Sequence, residues 1–177
     1  MLHHAAVVSV VLSALIVTLS AQRTTQVHPG KGGSPHVRSE WTIDGANISL
    51  EYGRPFLKGR SESQMMPPGS PWRTGADEAT TLATDRSLSF RTLIVPAGTY
   101  TLYTVPGASE WQLIFSKNTG QWGVPYPEDQ DLGRVTMKVD KIAPVEQLTI
   151  SIDDAPSGAT LGIEWGTTRA SAAFIIR

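Results

Sequence analysis

From residue 37 to the C-terminus the chain alternates apolar and polar residues with a period of two. Val37, Trp41 and Ile43 lie on one face of a predicted strand, and Asp44-Gly45 follows as a two-residue hairpin signal. Ile48, Leu50 and Tyr52 alternate on the return. Further strands are predicted over 80–84, from Leu88 and Phe90 to Leu93 and Val95, and over 100–105. Others carry Trp111, Leu113 and Phe115, then Val135, Met137 and Val139, then Leu148, Ile150 and Ile152. Leu161, Ile163 and Trp165 alternate before Gly166, and 170–176 closes the chain. No amphipathic helix of useful length appears. Short strands separated by Gly/Pro turns predict an all-β fold, an antiparallel β-sandwich of about nine or ten strands with one long irregular loop.

That loop is the chief interruption. Residues 52–81, YGRPFLKGRSESQMMPPGSPWRTGADEATT, do not alternate. Connections of this length within compact domains are uncommon and are usually functional or disordered. Between Gly53 and Ala76 stand four fixed cations, Arg54, Lys58, Arg60 and Arg73, with Glu62 as the only acid. Guanidinium groups bind carboxylate or phosphate in a bidentate manner, so the loop reads as an anion site. Trp72, with Trp122 and Tyr126 from a second irregular segment at 121–131, would supply a stacking wall for a sugar-like ligand. Glu78 would orient Arg73. The alternative structural reading has Arg73 or Arg54 paired with Glu78 or Asp77, so that the charges hold the loop and do no chemistry.

The N-terminal 21 residues carry an apolar run of about 15 residues at 5–19, followed by Ser20 and Ala21. This fits a signal peptide of residues 1–21 and is short for a membrane span, which places the mature chain in the periplasm or outside the cell with no span after leader removal. Residues 22–36 are rich in Gly, Pro and Thr and read as a flexible linker, leaving 37–177 as a single domain.

The formal net charge of −1 gives no field to attract nucleic acid. The absence of cysteine excludes disulfides, thiolate catalysis and Cys-ligated metals. His3 and His4 fall in the leader, and His28 and His36 flank the linker, so the predicted sandwich holds no histidine. A Ser-His-Asp triad is therefore not expected. Neither a metal nor another cofactor is expected, since a His-ligated zinc or copper site would require the tail to fold back. A hydrolase on this chain would have to pair carboxylates, with Glu78 and Asp131 as the pair.

Several blocks together carry a resemblance. YGRPFLKGR, PWRTGADEATT, VPAGTYTLYTVPG, WQLIFSKNTGQWG with the following Tyr126 and Asp131, and IEW at 163–165 resemble the bacterial secreted family Domain of Unknown Function 2911. The match runs from about Glu40 to the C-terminus. The resemblance implies an exported all-β domain and no established activity. Family members commonly carry Asn where this chain has Asp77, which makes Glu78 the better candidate for an essential carboxylate. The expectation is thus a domain binding a small anionic or sugar-like ligand, set against a carboxylate-dependent hydrolase and a structural envelope module. The sequence specifies no protein partner.

Overall fold

The computed structural model describes residues 22–177. The expected leader at 1–21 lies outside the described residues. Among those described, no helix is long and apolar enough to cross a membrane.

The strands are β1 (Arg23–His28), β2 (His36–Ile43), β3 (Ala46–Gly53), β4 (Ala76–Thr84) and β5 (Leu88–Phe90). They continue as β6 (Ile94–Val95), β7 (Gly98–Val105), β8 (Glu110–Ser116), β9 (Asp131–Ala155) and β10 (Gly158–Ile176). All ten join in one antiparallel sheet, in the order β1-β2-β3-β4-β7-β8-β9-β10-β5-β6. The fold is all-β as expected, with the strands hydrogen-bonded in one continuous sheet. That sheet curls over a single core. β3 and β9 are four places apart in the strand order, which in a flat sheet would separate them by about 19 Å. Yet the Tyr52 hydroxyl donates to the Ile150 carbonyl at 3.3 Å and accepts from the Ile150 amide at 3.0 Å. The inward residues of every expected strand pack together, among them Leu50, Leu82, Leu102, Leu113, Phe115, Met137, Ile150, Leu161 and Trp165.

The Asp44-Gly45 hairpin forms as its sequence predicts. Both residues have positive φ, 48° and 76°, and Ile43 pairs with Ala46 across them. Residues 131–155, read from the sequence as two strands, form one. β9 pairs with β8 through residues 131–138 and with β10 from Lys138 onward. Pro144 is tolerated because the register slips where it sits, between the pairs Lys141–Thr168 and Val145–Gly166.

Two segments differ from the sequence reading. The tail read as a linker supplies β1, an edge strand paired with β2, followed by a loop that returns to His36. His36 opens β2 and is buried, so the expectation of a histidine-free sheet fails. The long loop is also less irregular than it reads. Residues 54–58 run beside β9, where the Leu57 amide donates to the Glu146 carbonyl and the Leu148 amide to the Pro55 carbonyl. A single helical turn, α1 (Glu62–Met65), follows. Its capping box is formed by Ser61 and Gln64.

Candidate functional site

The segment 72–80 carries the candidate residues Trp72, Arg73 and Glu78. The Trp72 amide and carbonyl bridge to Thr104 of β7 at 2.7 and 2.8 Å. Thr74 and Asp77 both adopt positive φ, 59° and 60°, so the chain bulges outward from Thr74 into the start of β4. Buried hydroxyls hold the bulge. Thr80 Oγ1 donates to the Thr74 carbonyl at 2.9 Å, and Thr74 Oγ1 lies 3.2 Å from Thr104 Oγ1. Gly53 makes room for it, because a Cβ there would sit 2.2 Å from the Ala76 carbonyl oxygen.

The two irregular segments converge, as the sequence reading expected. The Ala79 amide donates to the Gln121 carbonyl, and Arg73 Nη1 donates to the Trp122 carbonyl at 3.2 Å. A cleft of about 290 Å³ opens beside them. Its walls include Trp72, Trp165, Arg73, Met65 and Val124. Trp72 stacks on Trp165 with centroids 5.8 Å apart and planes 14° apart. Trp165, read from the sequence as a core residue, is buried and still faces the cleft. Its indole N–H donates to the Glu146 carbonyl. The Arg73 guanidinium also lies 5.2 Å from the Trp122 ring centroid, as does Lys31 Nζ.

The other predicted site residues divide between structural and open positions. Arg54 donates to the Leu148 carbonyl and to Thr149 Oγ1. Arg60 donates to the carbonyls of Leu57 and Phe56. Both guanidinium groups therefore pin the loop. The Lys58 amide donates to Glu146, while its side chain is not drawn to the Arg73 cleft. Tyr126 donates to Asp131 Oδ2 at 2.6 Å, and Arg134 bonds to Tyr126, Asp131 and Glu128. Burial, reinforced by the Asp131 charge, holds the Tyr126 hydroxyl far above its ordinary range. Trp122 is 43% exposed and stands beside the cleft rather than within its lining.

Glu78 does not orient Arg73. Its carboxylate faces His36 Nε2 at 3.2 Å and His28 Nε2 at 3.7 Å. Asp131 lies in the Tyr126–Arg134 cluster, so the two carboxylates proposed as a hydrolytic pair belong to separate clusters. Sequence reasoning missed Glu62, whose carboxylate accepts from the Thr167 amide, Thr167 Oγ1 and Thr168 Oγ1. A capping-box pattern at Ser61–Gln64 was the signal that this stretch has structure.

A larger cleft of about 670 Å³ lies over β2, β3 and β4. Arg38 there pairs with Glu40 and Glu51, Asn47 is bonded to both oxygens of Asp85, and Arg23 of the edge strand β1 completes the charged lining. Among the described residues, the smaller cleft differs in setting an unpaired guanidinium beside a stacked pair of indoles, whereas the larger one has Trp41 alone.

A family model described as protein of unknown function DUF2911 matches residues 34–174, and the chain belongs to that family. No curated protein and no solved structure matches the chain significantly.

Proposed function

We propose that this member of the DUF2911 family is an exported binding domain whose site is the cleft between Trp72, Trp165 and Arg73. Its ligand is a small molecule with a flat apolar face and one anionic group, and a sugar acid is the class that fits best. The carrying observation is the state of Arg73. Its guanidinium lines the cleft and meets no carboxylate among the described residues, being held only by the Trp122 carbonyl and ring. A cation positioned by two contacts that leave its charge uncompensated is suited to receive a carboxylate or phosphate. The stacked indoles supply the apolar wall. The volume, at the low end for small-molecule sites, suits a single sugar ring. The apolar run at 5–19 supports the export reading.

The test is a titration of tryptophan fluorescence with glucuronate and inorganic phosphate, with glucose as the neutral control. A saturable response to glucuronate, weakened at least tenfold by Arg73→Gln and stronger than that to glucose, is expected. No saturable response to either anion, or one that Arg73→Gln leaves unchanged, overturns the proposal.

A further inference from the structure

We propose that His28, His36 and Glu78 form a binding site for a divalent transition-metal ion of the Zn²⁺ class. The three side chains come from three separate segments: the end of β1, the start of β2, and β4. Their ligand atoms all lie within 4.8 Å of one another. The two imidazole rings are stacked, with centroids 4.2 Å and planes 16° apart, and both Nε2 atoms face one Glu78 oxygen. Tetrahedral Zn²⁺ with ligands near 2.0–2.1 Å requires donor atoms about 3.3 Å apart. The two nitrogen-to-oxygen distances of 3.2 and 3.7 Å are close to that spacing.

The donor set is the right one chemically. Two imidazoles and one carboxylate suit a borderline divalent ion, whereas Ca²⁺ or Mg²⁺ would demand oxygen ligands. The rigidity is graded. His36 is 2% exposed and fixed against Gly53 and Ala76. His28 and Glu78 are 40% and 53% exposed, so an ion can enter and keep an open position toward solvent. Asp77 adjoins the set. Its Oδ2 accepts the Lys31 amide at 2.8 Å, tying the returning tail to β4, and adds negative charge 3.7 Å from His36 Nε2.

The hydrogen bonds also say where the protons are. The Gly30 amide donates to His28 Nδ1, and the Ala76 carbonyl can only accept from His36 Nε2. Both neutral rings therefore carry their proton on Nε2 in the metal-free chain. A metal on the Nε2 atoms moves both protons to Nδ1, so the Gly30 amide loses its bond to His28 and the Ala76 carbonyl its bond from His36, and packing beside Gly53 is what then holds the His36 ring. Metal binding thus carries a tautomer change that mere packing of two histidines would not. It would also clamp β1, whose side chains are largely exposed, onto the sheet.

The experiment uses the full chain with His3→Ala and His4→Ala, which leaves His28 and His36 as its only histidines. Zn²⁺ uptake is measured by equilibrium dialysis, Co²⁺ uptake by visible absorption, and the ring tautomers by ¹⁵N NMR. One ion per chain is expected, with at least tenfold weaker binding in His28→Ala and in Glu78→Gln. The imidazole resonances should change from the Nε2–H to the Nδ1–H form on Zn²⁺ addition. Both substitutions are at solvent-exposed side chains, so the fold, followed by circular dichroism, stands. Absence of stoichiometric uptake, or uptake that either variant leaves unchanged, overturns the proposal.

Discussion

Glu62→Ala should loosen the loop that carries Trp72 and Arg73. The Glu62 carboxylate reaches from α1 to the bulge in β10, accepting from the Thr167 amide at 2.6 Å, Thr167 Oγ1 at 3.0 Å and Thr168 Oγ1 at 2.6 Å. Gly166 makes the approach possible, since a Cβ there would lie 2.3 Å from Glu62 Oε1. A hydrogen bond to a charged group contributes roughly 1.5–3 kcal/mol. The site is partly solvated, and water can replace the carboxylate at the two hydroxyls, so the three bonds do not add. The expected loss is about 2–3 kcal/mol, which for a chain of this size lowers the melting temperature by roughly 5–10 °C. Partial burial pushes the Glu62 carboxyl up, but the bonds from Thr168 and Thr167 outweigh it and hold it below the ordinary value. Its contribution is therefore present above the unfolded carboxyl range and is lost as pH falls through the folded value. Thermal unfolding followed by circular dichroism should show a gap between wild type and Glu62→Ala near neutrality that shrinks as the pH is lowered below the ordinary carboxyl range. Equal melting temperatures near neutrality, or a gap of the same size at low pH, would refute the reasoning.

Other outcomes follow from the same geometry. Gly53→Ala places a Cβ 2.2 Å from the Ala76 carbonyl oxygen and 2.6 Å from His36 Nε2, so denaturant unfolding should show a loss of about 2 kcal/mol or more. Arg54→Ala removes bonds to the Leu148 carbonyl and Thr149, and should lower stability by about 1–2 kcal/mol while glucuronate affinity stays within twofold of wild type. Burial is the leading cause that raises all four tyrosines, Tyr52, Tyr100, Tyr103 and Tyr126, above the ordinary phenol value. Ultraviolet titration of the native chain should then show no tyrosinate forming at that value. Because the folded values are raised, this stability is complete below the unfolded phenol value and is lost as pH climbs past it.

The strands could be read from the sequence because each places apolar side chains on alternate positions facing one core, and Asp44-Gly45 marks its turn by φ preference alone. β1 could not be read this way. Residues 23–28 bury almost nothing, and their strand exists through backbone bonds to β2, which leave no hydropathy trace. Its misreading as linker removed His28 and His36 from the predicted domain. The continuous β9 was hidden for a similar reason: residues 140–147 between its two alternating stretches are poorly buried. The loop's cations drew attention to the region around Arg73, but composition does not distinguish a paired guanidinium from an open one. Arg60 is satisfied by backbone carbonyls, and Arg54 by the Leu148 carbonyl and the Thr149 hydroxyl of β9, some ninety residues away. Arg73 is set apart only by where the bulge at Thr74–Asp77 aims it.

The central claim is the location of the site, and amide and indole shift mapping of the ¹⁵N-labelled chain with added glucuronate tests it most directly. The account predicts shifts concentrated at the indoles of Trp72 and Trp165 and at the Arg73 side chain. Shifts confined to the larger cleft around Arg38 and Ser49, or none at saturating glucuronate, would contradict it.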